Sequence, residues 1–325
     1  MEIELLVSNP VTGKAYIPAV QDGIELTTER RGTAGKLSFK VLQDKTPLFS
    51  EGSAVRFSVD GRAMFFGFVF TQKRDKEGII SVTAYDQLRY LMAKDTYVYE
   101  NKTASQVIKM IAADFGLNLG VIEDTKYIIP SRVEDNESLF DIIENALDLT
   151  LMNSKEMFVL FDDCGKLTLK NISSMGVGIG NNYLVIDEET GENFDYSSSI
   201  DSETYNKIKL SYENEETGKR DIYIAQNSAH INEWGVLQYY DTLQKGENGQ
   251  AKADALLQLY DKKSRNLKIT NALGDTRVRG GSMVAVNLDL GDIAVKNFML
   301  VEKVTHKFSI DEHLMNLTLR GGEIA

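Results

Sequence analysis

Apolar side chains recur at every second position through much of the first 92 residues: Ile3, Leu5 and Val7, then Leu37, Phe39 and Val41, then Val55, Phe57 and Val59, and finally Ile80, Val82 and Ala84. A period of two puts alternate side chains on one face of a strand, so one face can be buried while the other stays wet. The dense run Phe65-Phe66-Gly67-Phe68-Val69-Phe70 reads as a further strand. Turn residues separate these runs at Arg31-Gly32-Thr33, Glu51-Gly52-Ser53, Asp60-Gly61-Arg62 and Lys76-Glu77-Gly78. Asp60-Gly61 between two β runs predicts a two-residue hairpin. Short strands with regular turns predict a small barrel or sandwich over 1–92.

The period then lengthens. Ala104, Val107, Ile108, Ile111, Ala112 and Phe115 form one helical stripe, with Thr103 and Gln106 spaced as a capping box and Gly116 as a stop. Leu139, Ile142, Ile143, Ala146 and Leu147 predict a second helix. Short strands are expected at Tyr97–Tyr99, Phe158–Phe161 and Lys166–Lys170, which makes 93–175 a compact α+β insert of βααβ-like order. From 176 onward the pattern is again mainly β. Strands are predicted at 205–213, 219–226, 283–288, 297–307 and 313–320, and one helix at 249–265.

The two β regions share an ordered set of matches. Leu37-Ser38-Phe39 pairs with Leu267-Lys268-Ile269, and Gly52-Ser53-Ala54-Val55 with Gly281-Ser282-Met283-Val284. Phe66-Gly67-Phe68-Val69 pairs with Phe298-Met299-Leu300-Val301, and Ser81-Val82-Thr83-Ala84 with Asn316-Leu317-Thr318-Leu319. Alternation alone produces some such matches; the Gly-Ser turn and the preserved order point to an internal repeat. The fold expected is α+β but mainly β, with two related β domains at 1–92 and 176–325 around the insert at 93–175.

Charge narrows the function. The chain of 325 residues carries 48 acids against 36 Lys and Arg, net −12, which disfavours a partner bound by phosphate neutralisation. The acidity is uneven: 1–92 has 11 acids and 12 bases, 93–175 has 14 and 8, and 176–325 has 23 and 16. The one cysteine, Cys164, rules out an internal disulfide. Met1–Val7 is acidic where a signal peptide would be basic, and the strongest apolar run, Met64–Phe70, falls far short of a membrane span. Synthesis and folding in a cytoplasm, without a membrane partner, are expected.

No constellation for catalysis emerges. His306 and His313 can face each other across a turn at Ser309–Glu312, with Glu302 or Glu312 nearby, a donor set that would suit zinc. The His-Glu-x-x-His spacing is absent, however, and hairpin histidines are usually solvated. Cys164 follows two aspartates, which oppose thiolate formation. Gly176-Val177-Gly178-Ile179-Gly180 leads into Tyr183-Leu184-Val185, a strand, so it lacks the helix amino terminus that a phosphate loop needs. Asp187–Glu192 misses the calcium-loop spacing, and pairs such as Glu134-Asp135 arise by chance among so many acids. No catalytic, metal or cofactor-binding residue is assigned, and no cofactor. Trp234, Tyr239 and Tyr240, in and after an Asn-Glu-Trp-Gly turn, are candidates for a binding surface.

Particular stretches carry a resemblance. Val82–Leu91 (VTAYDQLRYL) is followed by Lys94–Tyr99 (KDTYVY), and later by Gly165–Ile172 (GKLTLKNI), Lys252–Leu257 (KADALL) and Arg279–Val284 (RGGSMV). Together they resemble the baseplate hub proteins of contractile phage tails and phage-tail-like bacteriocins, the PBSX-like group in particular. The resemblance implies two tail-tube-like β-barrel domains in a homotrimer, whose pseudo-sixfold ring meets a hexameric tube on one side and a trimeric spike on the other. It implies a non-enzymatic symmetry adapter in the baseplate that nucleates the tube. Its partners would be itself, the tail tube or tube-initiator protein, the central spike, other baseplate proteins and the tape measure. DNA would only pass through. The insert looks similar to a LysM module, so a peptidoglycan-binding or cell-wall-hydrolysing tail-tip protein is the rival. The contact candidates are Arg30 and Arg31, the hairpin Tyr212–Tyr223, Trp234, and Arg277 and Arg279.

Overall fold

The computed structural model describes residues 1–9, 13–42, 49–178, 184–201, 204–214, 218–243, 247–289 and 294–321. The chain forms two compact units, one of Met1–Asp195 with Leu267–Leu319 and a smaller one of Tyr196–Asn266 with Arg320 and Gly321. Strands dominate both.

In the larger unit the strands Val20–Glu29, Lys36–Leu42, Ile79–Tyr85, Arg62–Arg74, Ala54–Val59 and Ile3–Ser8 lie side by side in that order, with Ala15–Tyr16 beyond. A second series repeats it: Asn193–Ser199, Ser264–Leu273, His313–Gly321, Ala294–Phe308, Met283–Asp289 and Val185–Ile186. Numbered by their own sequence, both series run second, third, sixth, fifth, fourth, first. The Gly-Ser turn sits at the same place in each. Gly52 N donates to Val69 O, Val69 N to Ser53 O and Ser53 N to Ser50 O, while Ser50 N donates to Ser53 Oγ. Gly281, Val301, Ser282 and Arg279 make the same four bonds. Both serines are buried, and both glycines have positive φ, 84° and 90°. The repeat is imperfect at one strand: Ile3–Ser8 pairs antiparallel with 54–59, whereas Val185–Ile186 pairs parallel with 283–289.

The two series meet where residues 303–308 pair with 24–29. Lys303 and Glu29 form an ion pair across this seam at 2.8 Å, and the hydroxyls of Thr27 and Thr305 lie 3.0 Å apart. Phe308, at the end of the long strand, packs edge-on against Phe57 at 5.0 Å inside the first core. The alternation seen in sequence is the burial pattern: Leu5, Val7, Leu37, Phe39, Val55, Phe57, Val82 and Ala84 are all buried. Asp60 and Gly61, at φ 48° and 75°, make the two-residue hairpin. The strand 20–29 escapes pattern reading because Ile24 and Leu26 sit among Asp, Gly, Glu and Thr.

The insert holds helix α1 (Ala104–Asp114), closed by the Thr103/Gln106 capping box, and helix α2 (Leu139–Ser154), capped by Ser138. Their apolar stripes, including Val107, Ile111, Ile142 and Ala146, share a core with Tyr97, Tyr99, Phe158 and Leu169. The βααβ order is corrected here, because two strands lie between the helices. Ile129–Ser138 pairs with Lys94–Lys102, and Leu119–Ile122 joins a sheet with 158–162 and 167–171. Arg132–Glu137, polar except for Val133 and without apolar alternation, hid the first of these.

In the smaller unit, strands Lys207–Asn214 and Lys219–Gln226 form a hairpin, and Gln238–Thr242 adds parallel to the first. Ile208, Leu210, Ala225, Ala253 and Leu256 are buried where helix α4 (Gly249–Tyr260) packs on the sheet. Asn248 caps α4, which ends at Tyr260 rather than 265, and Ser264 begins the next strand. The Asn-Glu-Trp-Gly segment is not an isolated turn: it closes a short helix, α3 (Ser228–Trp234), capped by Asn227.

Candidate interaction surfaces

The arginines singled out in the sequence are engaged within the chain. Arg30 lies on the seam, where its Nε donates to Glu302 Oε2 at 2.7 Å with a side chain only 10% exposed. Arg31 reaches α2, pairing with Glu144 and with Asp148 at 2.9 Å. Burial pushes the Glu144 carboxyl up, and the Arg31 charge pulls it back. Arg277 is bonded to Asp275 through Nε and Nη2, the latter at 2.6 Å, and borders an open pocket with Arg62, Asp311 and His313.

Arg279 has the most interior role. Its guanidinium carbon sits 3.7 Å from the centre of the Phe161 ring, Nη2 donates to Asp162 O at 2.8 Å, and Nε is buried without a hydrogen-bond partner. Around it is a buried polar junction built from four stretches of chain. Asp86 accepts from Gly35 N and Leu88 N at 2.9 and 3.0 Å. Gln87 bridges Asp162 Oδ2 at 2.7 Å and the backbone of Asn118, while Gly165 N closes on Asp162 Oδ1. Burial, with Asp162 beside it, raises the Asp86 carboxyl well above the ordinary range. A Cβ at Gly35 would stand 2.4 Å from Asp86 Oδ2, so any side chain there would displace the carboxyl that Gly35 N holds. The Tyr85-Asp86-Gln87-Leu88 and Arg279-Gly280-Gly281 motifs are therefore structural joints. At Gly280 a Cβ would meet the Glu29 backbone at 2.4 Å.

Tyr212 and Tyr223 stand opposite Asp221 and Leu210 on the helix-covered side of the hairpin sheet, both half-buried. Residues 215–217 of that hairpin, and Ile179, Gly180 and Tyr183 of the glycine run and strand beyond it, lie outside the described residues. Trp234 stacks on His230 at 4.1 Å, with Lys263 Nζ 5.7 Å from the centre of its indole ring. His230 Nδ1 is held by Asp261 at 2.6 Å.

The histidine pair faces as expected, with His306 Nδ1 and His313 Nε2 2.9 Å apart. Solvation is the part corrected: His306 is 1% exposed, with Nε2 against Val278 O, and stacks beside Phe308. Burial first, then for His306 the second imidazole, lowers both to about 4. The expected carboxylate neighbour Glu302 is bonded to Arg30; Asp275 is the carboxylate that acts on both rings. Cys164 is pushed up to about 11 by burial and by Asp163 and Asp162. Among the described residues no three His, Cys, Asp or Glu cluster as a metal site, and no helix is long and apolar enough to cross a membrane.

Residues 24–320 match the family described as YQBQ-like. Two relatives come from Bacillus subtilis (strain 168). The protein YqbQ is 29% identical over 97% of this chain and 95% of its own length. The phage-like element PBSX protein XkdQ is 31% identical over 82% of this chain and 81% of its own. The 43 kDa tail protein of prophage MuSo2 from Shewanella oneidensis has a similar structure, with a TM-score of 0.69 at 15% identity, covering 98% of each chain. The E. coli c3393 protein, a type VI secretion component structurally similar to T4 tail proteins gp27 and gp5, has a TM-score of 0.54 at 11% identity. It covers all of this chain and 78% of its own.

Proposed function

The chain belongs to the YQBQ-like family, and from that footing we propose that it is the structural hub of a contractile-tail baseplate. Three copies form a ring that joins a hexameric tube to a threefold spike and nucleates the tube. Residues 1–92 and 176–325 act as the two tube-like barrel domains, and 93–175 is the insert between them. The observation that carries this reading is the duplicated strand order, since one chain with two similar strand series lets three copies present six similar edges. The names of its relatives, PBSX XkdQ and a prophage tail protein, point the same way.

Neighbouring proteins in this reading are the tube or tube initiator, the spike, other baseplate proteins and the tape measure. Arg31, Tyr212, Tyr223, Trp234 and Arg277 are the contact candidates with solvent access, whereas Arg30 and Arg279 act from inside. Glycan binding is not proposed, because it rested on a βααβ order that two intervening strands interrupt. A reconstruction of the assembled particle tests the hub directly: three copies in one ring below the tube are expected, and six copies would overturn it. A cleavage band on a peptidoglycan zymogram would overturn the non-enzymatic role.

A further inference from the structure

The hairpin sheet of the smaller unit has one covered face and one bare face. Ile208 and Leu210 are fully buried on the side of α4. On the opposite face Ile222, Ile224 and Tyr240 are 51%, 46% and 51% exposed. The register gathers them: Ile224 and Tyr240 flank Lys209 on either side, and Ile222 lies opposite Ser211 one row on. The hydroxyls of Tyr240 and Ser211 are 2.8 Å apart, which ties the ring down across the strands. An ordered aliphatic and aromatic strip left in water is a feature of docking surfaces rather than of solvated hairpins.

Charge indicates what covers it. Lys207 and Lys209 project from the same face, and neither is in an ion pair among the described residues. The carboxylate on that face, Glu213, is held by Arg220 at 3.1 Å. Among the described residues the face is therefore positive, although residues 196–266 carry 11 acids against 9 bases. Two copies docked through it about a twofold axis would set lysines against lysines.

We propose that this sheet face docks a different protein of the particle, one presenting an aliphatic strip bordered by aspartates or glutamates. The proposal rests on the hub reading, because it needs a particle with other subunits. Its test is a photo-reactive benzoylphenylalanine placed at Ile222 of the full chain, irradiated in purified tail particles and mapped by mass spectrometry. An adduct on another protein, in a segment containing carboxylates, is expected. The double change Lys207→Glu with Lys209→Glu should reduce its yield at least about tenfold, with the circular dichroism spectrum unchanged. An adduct on a second copy of this chain or on glycan overturns the proposal, as does a yield indifferent to charge reversal. Presence of the chain in the particle without any adduct overturns it alone. Absence of the chain from the particle overturns the hub reading, and this proposal with it.

Discussion

Gly52 and Gly281 show how one residue type at one backbone position can bear different loads. Both have left-handed φ, where an added Cβ costs about 1–2 kcal/mol. At Gly52 that Cβ would meet open space, whereas at Gly281 it would meet Val159 at 2.7 Å. Gly52→Ala should therefore lower the unfolding free energy by about 1 kcal/mol, and Gly281→Ala by clearly more, read as a shift in urea midpoint. The histidine pair predicts a pH effect. His306 and His313 titrate near 4 in the fold against an ordinary 6.5, so the unfolded chain binds more protons between those values. Their contribution is complete above about pH 6.5 and is lost as pH falls toward 4. The raised carboxyls of Asp86 and Asp162 work in the opposite sense, gaining stability on acidification. Comparison with His306→Gln isolates the histidine: the stability gap between wild type and variant should narrow by roughly 3 kcal/mol from pH 7 to pH 4. A constant gap would contradict a buried neutral pair.

Between elements, the junction around Arg279 has the most consequence. Burial works against its charge, while Asp163, Asp86 and Asp162 support it. It joins the loop before Met283 to the insert at Phe161 and Asp162, and Gln87 and Asp86 continue the network to the first series at Gly35. Arg279→Gln would leave buried carboxylates without their cation, an effect of roughly 3 kcal/mol, seen as a lower melting temperature. Arg277→Gln, which removes a partly exposed pair, should change it little. Helix α4 is held at its amino terminus by close packing, since a Cβ at Gly249 would meet the Tyr223 ring at 2.3 Å.

For the whole molecule, the smaller unit reads as an insertion into the second strand series. Ser264 Oγ donates to Ser199 O at 3.1 Å, so the chain departs and returns at neighbouring points. Replacing 200–263 with a short Gly-Ser turn should leave the larger unit folded, its main melting transition within a few degrees of the full chain's. Loss of that transition would show that its core is not independent. Within the hub reading, the same excision should spare trimer formation.

Sequence by itself determined what depends on near neighbours. Alternation picked out the buried faces of the first strands, the Thr103/Gln106 spacing its capping box, and Asp60-Gly61 its hairpin, because each is set by sterics and hydrogen bonds within a few residues. The internal repeat was also legible, through a Gly-Ser turn whose backbone leaves little choice of residue. Tertiary structure alone decided which charges face water, since Arg30 and Arg279 find their partners far along the chain. It likewise decided that His306 is buried beneath Phe308, and that polar 129–138 is a strand because Lys94–Lys102 pairs with it. It also left Ile222, Ile224 and Tyr240 on the bare face, because α4 covers the opposite one.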